Sequence, residues 1–207
     1  LSYVENTLRF EYDISNVLIE AATVANVSDD ATCDNSPVGQ KLSIFPSLGI
    51  PVVVPAGNNF STNALSLPAC ASGAIAVGAT DKQDNVAPFS NSSEKLELWA
   101  PGVSITTTYP GNLELEVDGT SFAGPHVSGV ISLLKSNYPD LPYAALRNAL
   151  LNSGPVITDP RNGVARRRVD ALAAFNTLDN PVSQLDGVSS WGQVSGWGFD
   201  YTNLNQD

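Results

Sequence analysis

Two uninterrupted apolar runs in the middle of the chain predict strands that are buried on both faces. The first run covers residues 50–56, and the second covers residues 74–79. Continuous apolar runs of this length are typical of strands in a parallel sheet, both of whose faces are covered by other elements. Shorter apolar segments predict two further strands near residues 96–99 and 103–107.

Helical patterns alternate with these strands. Residues 121–137 give the strongest one, and they are apolar around so much of the helix that a central position is expected. Ser36 and Pro37 are typical of a helix start, and this helix is expected to stop at Gly49, with Pro46 kinking it or ending it early. Further helices are expected over residues 142–152 and 169–175, and residues 1–25 read as helical or mixed. This order predicts an α/β fold, with a mostly parallel sheet and helices on both faces.

The composition of the sequence changes after about residue 178. Glycine alternates with aromatic residues between Trp191 and Phe199, which suggests the opening strands of a β-rich module. We therefore expect residues 1–178 to belong to one domain, and residues 179–207 to be a linker and the start of a second module that is cut off. Because the chain contains no methionine, Leu1 is not an initiator, and the first domain is expected to be truncated on its N-terminal side.

The charge balance excludes two classes of partner. Ten Lys and Arg residues stand against 21 Asp and Glu residues, a formal net charge of −11. Nucleic acid and anionic membrane surfaces both call for a basic face, so neither is expected as a partner. Four of the ten basic residues cluster at Arg161 and residues 166–168, where we expect them to pair with carboxylates or to cap a helix end. No apolar run approaches the roughly 18–20 residues of a membrane span.

Cysteine and histidine are too scarce for an ordinary zinc site. The two cysteines, Cys33 and Cys70, and the single histidine, His126, supply at most three such ligands. In an oxidising compartment the two cysteines could form a disulfide, and the alternative is a pair of buried thiols. The low lysine content and the many small polar residues favour an exported protein.

A serine stands at the start of the most apolar predicted helix. Ser121 follows Gly119 and Thr120, and a hydroxyl at this place lies in the positive end of the helix dipole, near backbone N–H groups that lack intrahelical acceptors. These properties are compatible with a nucleophilic serine. They are equally compatible with Thr120 or Ser121 acting as an ordinary helix cap.

The wider pattern around this serine resembles that of the subtilisin-like serine proteases. The run GTSFAGPHVSG at residues 119–129 is similar to the family's nucleophile motif, and GIPVVVPAGNN at residues 49–59 is similar to the strand that ends in its oxyanion-hole asparagine. Residues 66–91 and 98–105 resemble the next strand and loop and the run that leads to the serine. Because the four motifs occur in the family's order, the resemblance implies a partial subtilisin-like peptidase domain over residues 1–178.

The resemblance implies a role for several residues. Ser121 would be the nucleophile that forms the acyl-enzyme, and its backbone N–H and the side-chain amide of Asn58 would donate to the oxyanion. Pro55, Ala56 and Gly57 would line one side of the pocket for the substrate residue before the cut. The expected function is therefore that of a secreted serine endopeptidase acting on polypeptide substrates, with its signal and pro-segment outside this chain. The resemblance implies no cofactor for catalysis.

The sequence departs from the family in one respect that bears on activity. The family's base and its orienting aspartate precede the serine, and no histidine precedes Ser121. His126 follows it by five positions and would point about 140° away from Ser121 around the helix axis. Either the aspartate and the histidine lie in an N-terminal remainder of the domain, or the protein is an inactive homologue that binds peptides or has a structural role. In both cases the isolated chain is expected to show little hydrolysis.

Two other family features are altered or weak. The Ser-Leu-Gly-Gly strand that forms the opposite wall of the substrate cleft is missing, and a different sequence stands at residues 26–30. Structural calcium is common in the family, and Asp29 with Asp30 and Asp81 with Asp84 could contribute ligands. Neither pair has a diagnostic spacing, so solvated surface carboxylates are the expectation, and no metal site is predicted.

Overall fold

The computed structural model describes residues 26–27 and 30–179 of the chain, so the predictions for residues 1–25 and for the module after residue 179 lie outside the described residues. The strands of the described part are β1 (Asn26–Val27), β2 (Val53–Pro55), β3 (Leu65–Ser66), β4 (Ile75–Thr80), β5 (Leu98–Pro101), β6 (Ile105–Tyr109), β7 (Leu113–Val117), β8 (Val156–Thr158) and β9 (Ala165–Arg168). The α-helices are α1 (Asp30–Asn35), α2 (Pro37–Leu42), α3 (Thr120–Asn137), α4 (Tyr143–Leu151) and α5 (Ala171–Asp179). Within these residues no helix combines the length and the apolar character that a membrane crossing requires.

Five strands form one sheet in the order β2-β4-β5-β9-β8. The pairs β2–β4, β4–β5 and β5–β9 are parallel, and β8 closes this edge of the sheet by pairing antiparallel with β9. The predicted α/β fold with a mostly parallel sheet is confirmed. Two short antiparallel pairs, β1–β3 and β6–β7, lie outside this sheet.

Apolar side chains cover both faces of the sheet, as the uninterrupted apolar runs predict. Ile75 and Val77 belong to a core cluster that includes the buried side of α3, α4 and α5. Their neighbour Ala76 points to the other face, where it shares a second cluster with Trp99 and with Leu42 of α2. The alternation along β4 thus divides the interior into two cores, with helices on both sides of the sheet.

The helix expected between residues 36 and 49 ends early, as its proline predicts, although it stops before Pro46 is reached. The helix α2 ends at Leu42, and a separate 3₁₀ turn (Phe45–Leu48) follows it. Ser36 caps α2 as expected, since its hydroxyl accepts from the Gly39 N–H at 3.0 Å. Pro46 has no N–H to continue the helical ladder, and Gly49 ends the turn with a left-handed φ of 74°.

Five strands were not expected from the sequence, namely β1, β3, β7, β8 and β9. In β9 three consecutive arginines occupy strand positions, although charged residues are usually depleted from strands. Two of these arginines form ion pairs with carboxylates, Arg166 with Glu94 at 3.1 Å and Arg168 with Asp84 at 2.6 Å. Arg167 instead donates to the Gly154 carbonyl at 2.7 Å. The fourth arginine of the cluster, Arg161, precedes the strand and pairs with Asp159 at 2.7 Å.

A disulfide bond joins Cys33 in α1 to Cys70, in the loop that leads to β4. The two Cα atoms are 5.9 Å apart, and both cysteines are buried in the core beneath the α1 and α2 side of the sheet. The disulfide therefore fastens the short helices α1 and α2 to the sheet.

Candidate active site

The helix α3 places Ser121 in its first turn. Ser121 is the second residue of the helix and is partly exposed. Just before it, the Gly119 N–H donates to the Gly102 carbonyl at 2.8 Å, which ties the start of the helix to the end of β5. Ser121 is thus held on a fixed turn, at the helix end where backbone N–H groups lack intrahelical acceptors.

Asn58 lies directly beside this turn, in the loop that follows β2. Its Oδ1 atom accepts two hydrogen bonds from Thr120, one from the backbone N–H and one from the hydroxyl, both at 2.9 Å. Because Oδ1 accepts from Thr120, Nδ2 is the atom of this amide that can donate to another group. The Nδ2 atom lies 3.6 Å from the position that a Cβ atom on Gly119 would occupy.

Thr120 joins the helix to the loop of Asn58, a contact that the sequence analysis, which considered Thr120 as a possible helix cap, did not predict. Its side chain is buried, and while its hydroxyl donates to Asn58 it also accepts from the Gly57 N–H at 3.2 Å. One hydroxyl therefore links the helix to two consecutive residues of the loop. No sequence signal could identify this role, because Thr120 and Asn58 are 62 positions apart.

The three residues expected in the substrate pocket differ in exposure. Pro55 and Gly57 are partly exposed, whereas the Ala56 side chain is completely buried in the core. The Ala56 carbonyl is also engaged, since it accepts from the Ser66 N–H at 2.9 Å. Any contact of a substrate with this segment would therefore involve Pro55 and Gly57 rather than the Ala56 side chain.

His126 is exposed on α3, and its Nδ1 atom lies 2.8 Å from the Phe122 carbonyl oxygen, one turn earlier in the same helix. The histidine ring is therefore engaged with the backbone of its own helix. The structure brings together Ser121, Thr120 and Asn58, and His126 is the one histidine of residues 1–207.

Asp81 and Asp84, one of the two pairs considered for calcium, have other partners, whereas the side chains of Asp29 and Asp30 lie outside the described residues. Both oxygens of Asp81 accept hydrogen bonds from Asn85 at 2.9 Å, and these bonds, with a weaker one from the Gln83 N–H, hold the pKa of Asp81 below its usual range. Asp84 pairs with Arg168. Among the residues that the structure describes, no group of three or more His, Cys, Asp or Glu is placed to hold a metal ion.

A cavity of about 670 Å³ lies beside the amino ends of β4 and β5, at the end of the sheet opposite Asn58. Its lining is mixed in charge and includes Glu97 and Arg147, which form an ion pair. Burial raises the pKa of Glu97, although the hydrogen bond from Arg147 opposes this effect. Asn58 instead follows the carboxyl end of β2, which is the end of a parallel sheet where ligands usually bind.

Comparison with known proteins decides the family. The model of the subtilase family matches residues 19–189. The chain belongs to the subtilase family. Subtilases are a family of serine proteases, and the mostly parallel sheet with helices agrees with this membership.

Curated relatives of this subtilase chain are bacterial proteases. Subtilisin DY from Bacillus licheniformis is 38% identical over 139 residues, which cover 66% of this chain and 51% of the relative. M-protease from Shouchella clausii is 38% identical over 130 residues, which cover 63% of this chain and 34% of the relative. The chain thus spans about half or less of the length of the curated relatives that it matches.

Solved structures of other subtilases share the architecture. The prenylagaramide maturation protease PagA is 26% identical with a TM-score of 0.65, and the match covers 76% of this chain and 59% of that one. The patellamide maturation protease PatA is 28% identical with a TM-score of 0.65, and the match covers 76% of this chain and 60% of that one. These structures support the assignment of the sheet and of its helices to the subtilisin-like fold.

Proposed function

We propose that this chain is the serine-bearing part of a subtilisin-like endopeptidase, with Ser121 as the nucleophile and Asn58 as an oxyanion donor. The observation that carries the proposal is the pair of hydrogen bonds from Thr120 to Asn58 Oδ1. These bonds occupy the Asn58 oxygen and leave its amide N–H groups to donate beside Gly119, the residue that precedes the helix of Ser121. A preorganised donor at this place is what the anionic tetrahedral intermediate of acyl transfer needs.

The reaction follows from these positions. Ser121 Oγ attacks the scissile carbonyl carbon of a polypeptide, and its proton passes to a histidine outside this chain. The carbonyl oxygen becomes an oxyanion, which accepts from Asn58 Nδ2–H and from the Ser121 backbone N–H. The histidine then gives this proton to the leaving nitrogen, so that collapse of the intermediate releases the amine product and leaves an acyl-enzyme. Water hydrolyses the acyl-enzyme, which releases the carboxylic acid product and restores the Ser121 hydroxyl. No cofactor is required for any of these steps.

The proton acceptor and its aspartate are proposed to lie in the N-terminal remainder of the same domain. Two facts support this: the curated relatives are about twice the length of the matched segment or longer, and no histidine precedes Ser121. The isolated chain is accordingly proposed to have little hydrolytic activity. The Cys33–Cys70 disulfide supports a location outside the cytosol, because such bonds persist in oxidising compartments.

The second candidate function is a catalytically silent subtilase that binds peptides, which the missing histidine favours. A covalent serine-directed phosphonate separates the two functions when it is applied to the full-length gene product. We expect rapid labelling of Ser121 together with peptide hydrolysis, and loss of both in Ser121→Ala. Absence of labelling and of hydrolysis in a folded full-length protein would establish the silent alternative.

The Asn58 assignment has its own test. In subtilisin itself, removal of the asparagine donor costs roughly 10²–10³-fold in kcat, and we expect Asn58→Ala to fall in this range. Asn152→Ala is the matched control, because it makes the same change at an exposed asparagine that caps the end of α4. A kcat for Asn58→Ala equal to that of the control would remove Asn58 from the oxyanion hole.

A further inference from the structure

The loop that carries Asn58 has a backbone that needs external support. Two of its residues have left-handed conformations, Gly57 with a φ of 103° and Phe60 with a φ of 60°. For a side chain such as that of Phe60 this conformation is unfavourable, so the loop keeps its shape only where its surroundings hold it. We refer to residues 56–61 as the Asn58 loop.

One side chain contacts this loop on both sides of Asn58. Asn91 is completely buried, and its Oδ1 atom accepts from the Asn59 N–H at 2.9 Å and from the Ser61 N–H at 3.1 Å. These two amides follow Asn58 directly and flank Phe60, the residue with the unfavourable conformation. A single carbonyl oxygen therefore fixes the half of the loop after Asn58.

The rest of Asn91 fixes the half of the loop before Asn58. Its Nδ2 group donates to the Ala56 carbonyl at 3.1 Å and to Ser66 Oγ at 3.0 Å, and its backbone N–H donates to the Gly57 carbonyl at 2.9 Å. The packing here is tight, because a Cβ atom on Gly57 would lie 2.5 Å from Asn91 Nδ2. Asn91 thus binds two residues before Asn58 and two residues after it.

Asparagine suits this place because the site needs an acceptor and a donor in one short, uncharged group. Leucine and alanine offer neither, and aspartate would set a second oxygen against the Ala56 carbonyl. Loss of the Asn91 side chain would leave the Asn59 and Ser61 N–H groups without this acceptor, and the loop would lose the bonds that hold its shape.

The turn that precedes β9 forms hydrogen bonds with the residues on both sides of Asn91. Arg161 donates to the Ser90 carbonyl at 2.8 Å and to the Pro88 carbonyl at 2.5 Å. Asn162 donates to Ser92 Oγ at 3.1 Å. The residues on both sides of Asn91 are therefore fixed, and Asn91 holds the loop from a rigid base.

We propose that Asn91 is a positioning residue for the protease reaction, acting through Asn58. It holds the Asn58 loop so that the Asn58 amide is already in place when the oxyanion forms. This inference rests on the proposed function, in which Asn58 stabilises that oxyanion. Preorganisation of such a donor acts on the transition state rather than on substrate binding, so the effect belongs in kcat rather than in KM.

A double-mutant cycle in the full-length protein tests this role. We expect Asn91→Ala to lower kcat by about 10–100-fold with KM changed by less than about twofold. In an Asn58→Ala background the same change is expected to alter kcat by less than about twofold, because the donor that Asn91 positions is gone. An equal loss of kcat in both backgrounds would overturn the proposal.

Two further variants separate positioning from general destabilisation. Ser153→Ala is the matched control, because it removes a completely buried hydroxyl between α4 and α5. This hydroxyl donates to the Leu150 carbonyl and accepts from the Asp170 N–H. We expect kcat of this variant to stay at the wild-type value. Ser66→Ala removes one acceptor of Asn91 Nδ2 and is the milder variant if Asn91→Ala does not fold. We expect Ser66→Ala to lower kcat by about threefold when Asn58 is present, and to leave kcat unchanged in the Asn58→Ala background.

Amide hydrogen exchange tests the contact without relying on catalysis. In the full-length protein, Asn91→Ala or the milder Ser66→Ala is expected to speed the exchange of the Asn59 and Ser61 amides at least about tenfold, while Ser153→Ala leaves them unchanged. Unchanged exchange in the Asn91 and Ser66 variants would overturn the positioning role. A different outcome would be faster exchange in the Asn91 variant together with a rate of peptide hydrolysis that Ser121→Ala does not change. That outcome would overturn the proposed function, and with it the catalytic role of Asn91.

Discussion

Asp159 has no exposed surface, and Arg161, two residues later, donates to both of its carboxylate oxygens. The Nε atom lies 2.9 Å from Oδ1, and a terminal guanidinium nitrogen lies 2.7 Å from Oδ2. The same guanidinium holds the carbonyls of Pro88 and Ser90, so this ion pair lies behind the segment that contains Asn91.

This pair predicts a loss of stability in acid. Burial alone would raise the pKa of Asp159, but the hydrogen bonds from Arg161 and Ser92 outweigh it and hold the pKa below its ordinary value of 3.8. The unfolded state therefore binds the proton more tightly, so the stabilisation is present above about pH 4 and is lost as the pH falls through the folded-state pKa. We expect Asp159→Asn to cost about 1.5–3 kcal/mol at neutral pH and less in acid.

Urea unfolding of the two proteins between about pH 3 and pH 7 measures this effect. Asp140→Asn serves as the control, because Asp140 is exposed. A stability difference between wild type and Asp159→Asn that is constant across this pH range would contradict the prediction.

The hydroxyl of Thr120 predicts a selective loss of catalytic rate. Thr120→Val keeps the shape of the side chain and the backbone bond to Asn58, but it removes the hydroxyl bonds to Asn58 and Gly57. We expect kcat of the full-length protein to fall about tenfold with little change in KM, because the Asn58 amide is then less well fixed. Thr120→Ser restores the hydroxyl and should recover most of the rate; a valine variant as fast as wild type would show that the hydroxyl does not orient Asn58.

The disulfide predicts a large contribution to stability. Cys33 and Cys70 are 37 positions apart, and closing a loop of this size is expected to contribute about 4 kcal/mol through the unfolded chain. The double variant Cys33→Ser with Cys70→Ser should therefore unfold at a much lower urea concentration. Reduction of the wild-type protein should produce a similar shift, and a reductant should have no effect on the double variant.

The phenylalanine at position 122, where a methionine could be oxidised, predicts that the activity of the full-length protein survives hydrogen peroxide. Its ring lies 3.5 Å from the position of a Cβ atom on Gly119, next to Asn58 Nδ2, and residues 1–207 contain no methionine. We expect full-length wild type to retain its activity in hydrogen peroxide and Phe122→Met to lose it, since sulfoxide formation would place a polar group beside Ser121. Rapid inactivation of wild type, with oxidation located at this site, would contradict the prediction.

The main elements could be predicted from the sequence because burial leaves a pattern in the chain. The apolar runs around Val53 and Val77 and the apolar helix that begins near Ser121 all lie in the core or at its edge. The hairpin strand β7 was missed because Leu113 and Leu115 are exposed, so its alternation with glutamates marks no core face. The strand β9 was missed because the ion pairs that keep its arginines in a sheet involve residues far away in the sequence.

The site was predictable in part for the same reason. Ser121 and Asn58 lie in contiguous motifs that a resemblance can identify. Thr120 and Asn91 act through contacts that span 62 and 32 positions, and nothing local to either residue indicates its partner. Polar networks between distant segments depend on the finished fold, and a sequence pattern carries no record of them.

The complete burial of Asn91 has a consequence for the choice of expression host. Asn91 is followed by two serines and so forms an Asn-x-Ser acceptor for N-linked glycan, as does the exposed Asn59 beside Asn58. A eukaryotic secretory pathway that attached a glycan to the nascent chain at Asn91 would block the packing around the Asn58 loop, and a glycan at Asn59 would cover the cleft. Bacterial secretion, or substitution of Ser61 and Ser93 by alanine in a eukaryotic host, keeps carbohydrate away from both asparagines.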